Sequence, residues 1–273
     1  MIELPNTTDK RSIIQLTGLS KLFTTGKYEV KALGPIDLEL YSTDFTIIYG
    51  PSGCGKSTLL NIICGLEPPS TGKVIVRDTD VYSMDENQRA DFRARKFGIV
   101  YQMPYWVKSL NVLENVAIPL LLQKAPTDYS YARARESLER VGLQEFGDNI
   151  PTELSGGQQQ KASLARALVT NPWIIIADEP TGNLDTKSAS EVINLLMDLN
   201  NKAKRTIIMV THNLDYLPYA TRTISMKDGT IAEAKHVKRM DKVLSVIKPL
   251  NVSSAEDYHE EGQVNTEKGV YSK

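Results

Sequence analysis

The feature that most constrains this chain is the loop Gly50-Pro51-Ser52-Gly53-Cys54-Gly55-Lys56-Ser57-Thr58, set directly after the apolar run Phe45–Tyr49. Its fixed positions match G-x-x-x-x-G-K-[ST], a coincidence that average residue usage produces in roughly 1% of chains this long. An apolar run that stops abruptly is the mark of a buried strand, and residues 56–64 after the loop are expected to be helical. Strand, glycine-rich turn and helix in that order point to an α/β core with a mostly parallel sheet. Glycines let such a loop wrap a polyphosphate with its N–H groups inward, and the following helix turns its positive end to the same anion. Lys56 is then placed to reach the β and γ phosphates, and the Ser57 hydroxyl to hold Mg²⁺.

Further strands are expected at 12–17 and 36–41, with a turn-prone stretch at 24–27, and at 73–77 and 97–101 around the charged, helix-like residues 85–96. From residue 103 to 169 the β-type pattern gives way to helices at 114–123 and 128–141, a helical insertion. Apolar strands return at Trp173, Thr206 and Arg222, with a helix over 187–203 between the first two, and no internal repeat is visible. This organisation gives a short extension at 1–11 and one domain at 12–235. Beyond it Val237, Met240, Val243, Leu244 and Ile247 recur at helical spacing beside Lys238, Arg239, Lys242 and Lys248 until Pro249. An amphipathic helix at 236–250 could pack on the core, pair with a second subunit or lie on anionic lipid. The polar residues 251–273 are expected to be disordered.

Composition narrows the function classes. The chain has 273 residues, and 32 Lys plus Arg against 33 Asp plus Glu leave a net charge of −1, which argues against bulk nucleic-acid binding. Its two cysteines, Cys54 and Cys64, exclude a disulfide framework and lack zinc-site spacing, so a reducing compartment is the simpler expectation. No apolar run approaches the ~20 residues that span a bilayer, and the opening residues lack a signal-type apolar region, so the chain is expected to be cytoplasmic and soluble.

Two more stretches carry chemistry. The apolar run from Ile174 ends in Asp178-Glu179, which delivers adjacent carboxylates to a sheet edge. Asp178 suits Mg²⁺ coordination, and Glu179 suits polarising an attacking water as general base. In Leu154-Ser155-Gly156-Gly157-Gln158, Ser155 can cap a helix that packs Ala165, Leu168 and Val169 inward, and the two glycines admit a phosphate to its first turn.

With these motifs the sequence resembles the ATP-binding cassette (ABC) ATPases from about residue 12 to 233. By that resemblance the glycine-rich loop is Walker A, Gln102 in VYQMP the Q-loop, LSGGQ the signature, IIIADE Walker B, Asn183-Leu184-Asp185 the D-loop and His212 the switch histidine. The family implies a P-loop ABC-ATPase core with an antiparallel β subdomain and an inserted α-helical subdomain. It also implies ATP and Mg²⁺ as ligands and a head-to-tail dimer, in which Walker A of one chain and Ser155 to Gln158 of the other, with Asp185, enclose each nucleotide. Gln102 would then touch Mg²⁺, His212 the γ-phosphate, and Phe23, or alternatively Tyr28, would stack on adenine.

The stretches DEPTGNLD and LNVLENVAIPLLL resemble the subgroup that contains lipoprotein-release, macrolide-export and cell-division ATPases. That resemblance implies an ATPase on the inner face of the cell membrane, driving a separately encoded permease with an extracytoplasmic domain. An importer ATPase would share the catalytic motifs, whereas nucleic-acid-acting members insert a long coiled coil or carry paired cassettes, which this chain lacks. Tyr105, Trp106, Val107 and Leu110 follow Gln102 where the family seats a permease helix, and Trp106 is either an anchor there or core of the insertion. A thiol reagent that reaches Cys54 is expected to compete with polyphosphate.

Overall fold

A computed structural model describes residues 11–26 and 28–239. The N-terminal extension before Arg11, and the expected C-terminal helix and tail from Met240 onward, lie outside the described residues.

The apolar runs build a six-stranded sheet in the order β10 (Thr230–His236), β9 (Arg222–Lys227), β3 (Phe45–Tyr49), β8 (Thr206–Thr211), β7 (Ile174–Asp178), β6 (Phe97–Val100). All its pairs are parallel except β10 with β9. Parallel strands are covered on both faces, and successive residues serve opposite faces. Ile47, Ile175, Ala177, Ile207 and Met209 point to a core shared with the helical insertion. Ile48, Ile174, Ile176, Ile208 and Val210 point to a second core, shared with α1 (Lys56–Ile63) and an antiparallel sheet. Each such fully buried isoleucine or valine contributes on the order of 1.5–3 kcal/mol by leaving water.

The antiparallel sheet runs β2 (Tyr28–Tyr41), β1 (Ser12–Thr25), β4 (Thr71–Val76), β5 (Thr79–Asp80). Strands β1 and β2 are much longer than the expected 12–17 and 36–41. The first residues of β2 are exposed on both sides, so they show no alternation, and the strands simply run on to the turn expected at 24–27. β4 stops at Val76 rather than residue 77, because Arg77 and Asp78 both take positive φ and turn the chain into β5.

Helix starts follow local capping. Asp85 caps α2 (Glu86–Lys96) and Asn111 caps α3 (Val112–Leu122), each with a reciprocal bond from the side chain three positions inside. The insertion continues through α4 (Thr127–Arg140) to α5 (Gly156–Leu168), which Ser155 caps as expected and which buries Ala165 and Leu168, with Val169 at its end. α6 (Thr186–Asn201) lies between β7 and β8, capped by Asp185. The expected helix from residue 236 does not begin there. His236 closes β10, and Val237 hydrogen-bonds to the carbonyl of Thr221 in a stretch that has no regular structure through Arg239. No helix among the described residues is long and apolar enough to cross a membrane.

Candidate active site

Parallel pairing brings the chemically active positions to one sheet edge. β3, β8, β7 and β6 are neighbours and run the same way, so the phosphate loop, His212, Asp178-Glu179 and Gln102 all leave from their carboxyl ends.

The phosphate loop is clamped on both sides. A Cβ on Gly50 would come within 2.2 Å of the Met226 carbonyl, and one on Gly55 within 2.6 Å of the Ala32 carbonyl. Gly55 also holds φ +98°, a left-handed value that favours glycine, at the N-terminus of α1. Lys56 is buried, and its Nζ donates to the carbonyls of Gly50 and Pro51, both at 2.9 Å. The Cys54 thiol, by contrast, is turned into the core beneath the loop, 3.9 Å from Lys56 Nζ. Cys54 is thus a small buried packing group, and a thiol reagent has to reach it beneath the loop before it can compete with polyphosphate. Cys64 is buried too, and burial pushes its thiol up to about 12.

At the end of β7, Ser57 Oγ donates to Asp178 Oδ1 at 3.2 Å. Burial raises the Asp178 pKa, and the Glu179 charge adds to the rise against the opposing bond from Ser57 and charge of Lys56. A carboxylate penalised by burial, beside a hydroxyl at the edge of a phosphate loop, is the hard oxygen set that Mg²⁺ prefers. Glu179 next along has φ +48°, a costly backbone for a non-glycine residue and the sort of strain that persists where function holds it. Its backbone N–H donates to Val210 and its carbonyl accepts from Gly182, which fixes the turn. Glu179 Oε2 is buried without a hydrogen-bond partner, although His212 Nδ1 stands 3.0 Å away. His212 itself is mostly exposed at the end of β8.

Gln102 follows β6 and lays its amide beside the turn after Glu179. Its Nε2 approaches Asn183 Oδ1 at 3.4 Å, and a Cβ on Gly182 would come within 2.8 Å of the same nitrogen. Sequence reasoning did not single out Gly182, whose lack of a side chain makes this approach possible.

Ser155 Oγ accepts from the Gln158 N–H, and Gln158 Oε1 accepts from the Ser155 N–H, so the signature is the capped first turn of α5. Gly157 packs on α6, where a Cβ would lie 2.5 Å from Ser188 Oγ, whereas Gly156 has only Leu184 nearby, at 3.6 Å. Asp185 accepts from the N–H groups of Lys187 and Ser188 and from the Ser188 hydroxyl, which holds its pKa below the ordinary range.

Phe23 pairs across the hairpin with Val30, two positions along β2 from the Ala32 that borders Gly55. Its ring is 37% exposed and carries Lys21 Nζ 4.8 Å from its centre, so it is no core residue. Tyr28, 79% exposed, stands at the hairpin tip. Beyond Gln102, Tyr105 and Val107 are exposed, while Trp106 is half-buried against the insertion and donates its indole N–H to Gln159 Oε1 at 3.1 Å. The covered part of Trp106 packs on the insertion, and the rest of the ring is exposed beside Tyr105 and Val107.

A phosphate loop and paired carboxylates at the carboxyl edge of a parallel sheet, with an LSGGQ turn on an inserted helix, define a nucleotide-hydrolysing cassette. Residues 33–182 match the family model described as ABC transporter. An uncharacterized ABC transporter ATP-binding protein of Methanocaldococcus jannaschii is 44% identical over 81% of this chain and 98% of its own length. The lipoprotein-releasing system ATP-binding protein LolD of Colwellia psychrerythraea is 36% identical over 80% of this chain and 85% of its own. Among solved structures, the dimeric ATP-binding cassette MJ0796 in a post-hydrolysis state bound to ADP and Pi is 34% identical and superposes with a TM-score of 0.77, covering 84% of this chain and 100% of that one. The chain belongs to the ABC transporter ATP-binding family. It is an ATPase subunit that binds ATP and hydrolyses it.

Proposed function

We propose that two copies of this chain close head to tail on two ATP molecules and so drive a separate membrane permease of the lipoprotein-release or exporter type. The observation that carries the catalytic part is Glu179: a buried carboxylate oxygen at the carboxyl end of β7, one residue from the Asp178 that meets Ser57 of the phosphate loop and 3.0 Å from His212 Nδ1. In this reading Gly50 to Thr58 cradle the phosphates and Lys56 leaves its carbonyl partners for the β and γ oxygens. Ser57 and Asp178, with Gln102, hold Mg²⁺, which supplies charge neutralisation on the phosphates. Glu179 takes a proton from the attacking water, and His212 beside it orders the γ-phosphate. Ser155, Gly156, Gly157 and Gln158, with Asp185, complete the site from the opposite subunit, and Phe23 stacks on adenine.

Likeness to the ATP-binding protein of a lipoprotein-releasing system supports an ATPase subunit working at a membrane; in this reading the dimer sits peripherally on the cytoplasmic face, on a permease that has an extracytoplasmic domain. The exposed Met103, Tyr105 and Val107 after Gln102 offer such a partner apolar anchors. The net charge of −1 gives no basic footprint to favour nucleic acid as a ligand.

Glu179→Gln tests the catalytic core of this reading. The substitution leaves the phosphate cradle intact, so ATP affinity should persist while hydrolysis falls by about two to four orders of magnitude, the usual worth of a general base. Dimers should accumulate with ATP on size-exclusion chromatography. Turnover at the native rate would remove Glu179 from the mechanism.

A further inference from the structure

The amino-terminal edge of the parallel strands, opposite the phosphate loop, carries a charge cluster that hydrolysis does not use. Trp173 stands just before β7 and is 37% exposed. The Arg77 guanidinium carbon lies 3.7 Å from the centre of a Trp173 ring, and Lys96 Nζ, from the last residue of α2, lies 3.8 Å from one. The negative face of an indole attracts cations but does not neutralise them. Among the described residues neither Arg77 nor Lys96 has an ion pair, and the carboxylates close by are taken, Asp78 by Arg11 at 2.7 Å and Asp91 by Arg95 at 2.9 Å. Burial lowers the pKa of both cations, and like charges add to the fall, Arg11 for Arg77 and Arg77 with Arg95 for Lys96, against the pull of Asp78 and Asp91.

Arg77 holds its place at a cost. Val76 pairs with Thr79, so Arg77 and Asp78 are the two central residues of a hairpin turn, and both take positive φ, +45° and +68°. Asparagine and glycine suit such a turn, whereas an arginine with that backbone is strained. Strain of this kind persists where a site needs the side chain. Here the side chain is the cation laid on Trp173.

We propose that Arg77, Lys96 and Trp173 form a docking site for an acidic peptide, and that its occupant is segment 256–261 of this same chain. The segment lies outside the described residues and carries Glu256, Asp257, Glu260 and Glu261, whose carboxylates match the two unpaired cations. The described chain ends on the side of the molecule that this requires. Arg239 donates to Asn200 Oδ1 at 2.9 Å, Asn200 to the Arg205 carbonyl at 2.8 Å, and Arg205 to the carbonyl of Pro172, next to Trp173, at 3.1 Å. Residues 240–255 can span up to roughly 50 Å, enough to bridge this short relay with length to spare. Their tether holds the carboxylates near the site at an effective concentration on the order of 1 mM, so that a weak charge contact suffices to fill it.

The test uses the full chain with Glu256→Gln, Asp257→Asn, Glu260→Gln and Glu261→Gln, which vacates the site without shortening the protein. Its probe is a fluorescently labelled peptide of residues 251–268 with the native acids, read by anisotropy. The neutralised chain should bind this peptide. The native chain should bind it about tenfold more weakly, because a tethered competitor at about 1 mM faces a Kd of about 0.1 mM. Adding Arg77→Asn or Lys96→Gln to the neutralised chain should weaken the peptide by about two- to fivefold each, and both together by about tenfold or more. Asparagine tolerates positive φ and glutamine keeps most of the lysine stem, so all of these chains should melt together.

Raising salt from about 0.1 M to about 1 M shortens the screening length from about 10 Å to about 3 Å and should release the peptide. Equal affinity of the native and neutralised chains, or no binding by the neutralised chain, overturns docking of the chain's own segment. Peptide affinity that survives the loss of both Arg77 and Lys96 overturns the site. Phosphatidylglycerol vesicles are the competing probe: if they bind the neutralised chain through Arg77 and Lys96 and the peptide does not, the occupant is a lipid headgroup and segment 256–261 is excluded. ATP hydrolysis is not among the readouts, so the outcome is independent of the head-to-tail dimer proposed above.

Discussion

Adding one methyl to either signature glycine separates packing from chemistry. At Gly157 the new Cβ would lie 2.5 Å from Ser188 Oγ and 2.6 Å from Ser188 Cβ. Carbon contacts settle at about 3.5–4.0 Å, so α5 and α6 must part by roughly 1 Å. Rotating Ser188 does not relieve the clash, because its Cβ is fixed to α6 and its hydroxyl is already committed to Asp185 at 2.7 Å. Overpacking of this kind costs about 1–3 kcal/mol, and the better helix propensity of alanine returns at most about 1 kcal/mol. Even with that offset in full, Gly157→Ala should be up to about 2 kcal/mol less stable, which at about 2–4 °C per kcal/mol for a domain of this size lowers the melting temperature by up to several degrees. At Gly156 the methyl meets only Leu184, at an ordinary 3.6 Å. Gly156→Ala should melt with wild type yet weaken ATP-dependent dimerisation, because the added bulk lies on the turn proposed to meet the opposite subunit's nucleotide. Differential scanning fluorimetry and size-exclusion chromatography on the same preparations read both effects. Equal melting of the two variants would refute the packing argument, and wild-type dimerisation of Gly156→Ala would refute the role of the turn.

Phe23→Leu should keep the fold, since the ring is half-exposed, and weaken ATP more than inorganic triphosphate, while Tyr28→Leu leaves both unchanged; isothermal titration decides, and equal loss for the two ligands excludes adenine stacking. Tyr105→Ala should leave basal hydrolysis and melting unchanged and reduce copurification of the proposed permease, because the side chain is 73% exposed; undiminished copurification would exclude Tyr105 as an anchor.

The sequence showed best what is buried on both faces. β3, the loop and α1 stood out because Phe45 and Ile47 serve one core and Ile48 the other, which leaves a mostly apolar run that stops at the glycine-rich turn. The distal halves of β1 and β2, and all of β10, were illegible because edge and hairpin-tip residues face solvent on both sides and carry no period. Site residues were legible where a local spacing encodes them, as in Walker A, the signature cap and Asp178-Glu179. Contacts between distant segments were not. The positive φ of Glu179, the bare Gly182 beneath Gln102 and the bond from Trp106 to Gln159, 53 residues on, arise from how elements stack. Cys54 shows the same limit, since its place in the loop says nothing of which way its thiol turns.

The central claim is that neither chain completes a nucleotide site alone, and mixing two dead variants tests it most directly. Lys56→Ala disables the phosphate loop and leaves the signature intact, whereas Ser155→Arg does the reverse. Each alone should be inactive in both sites of its dimer. Random pairing of equal amounts makes about half of the dimers mixed, each with one intact site of two, so hydrolysis should return to as much as about a quarter of the wild-type rate. A mixture no more active than its separate components would contradict a site shared between the two chains.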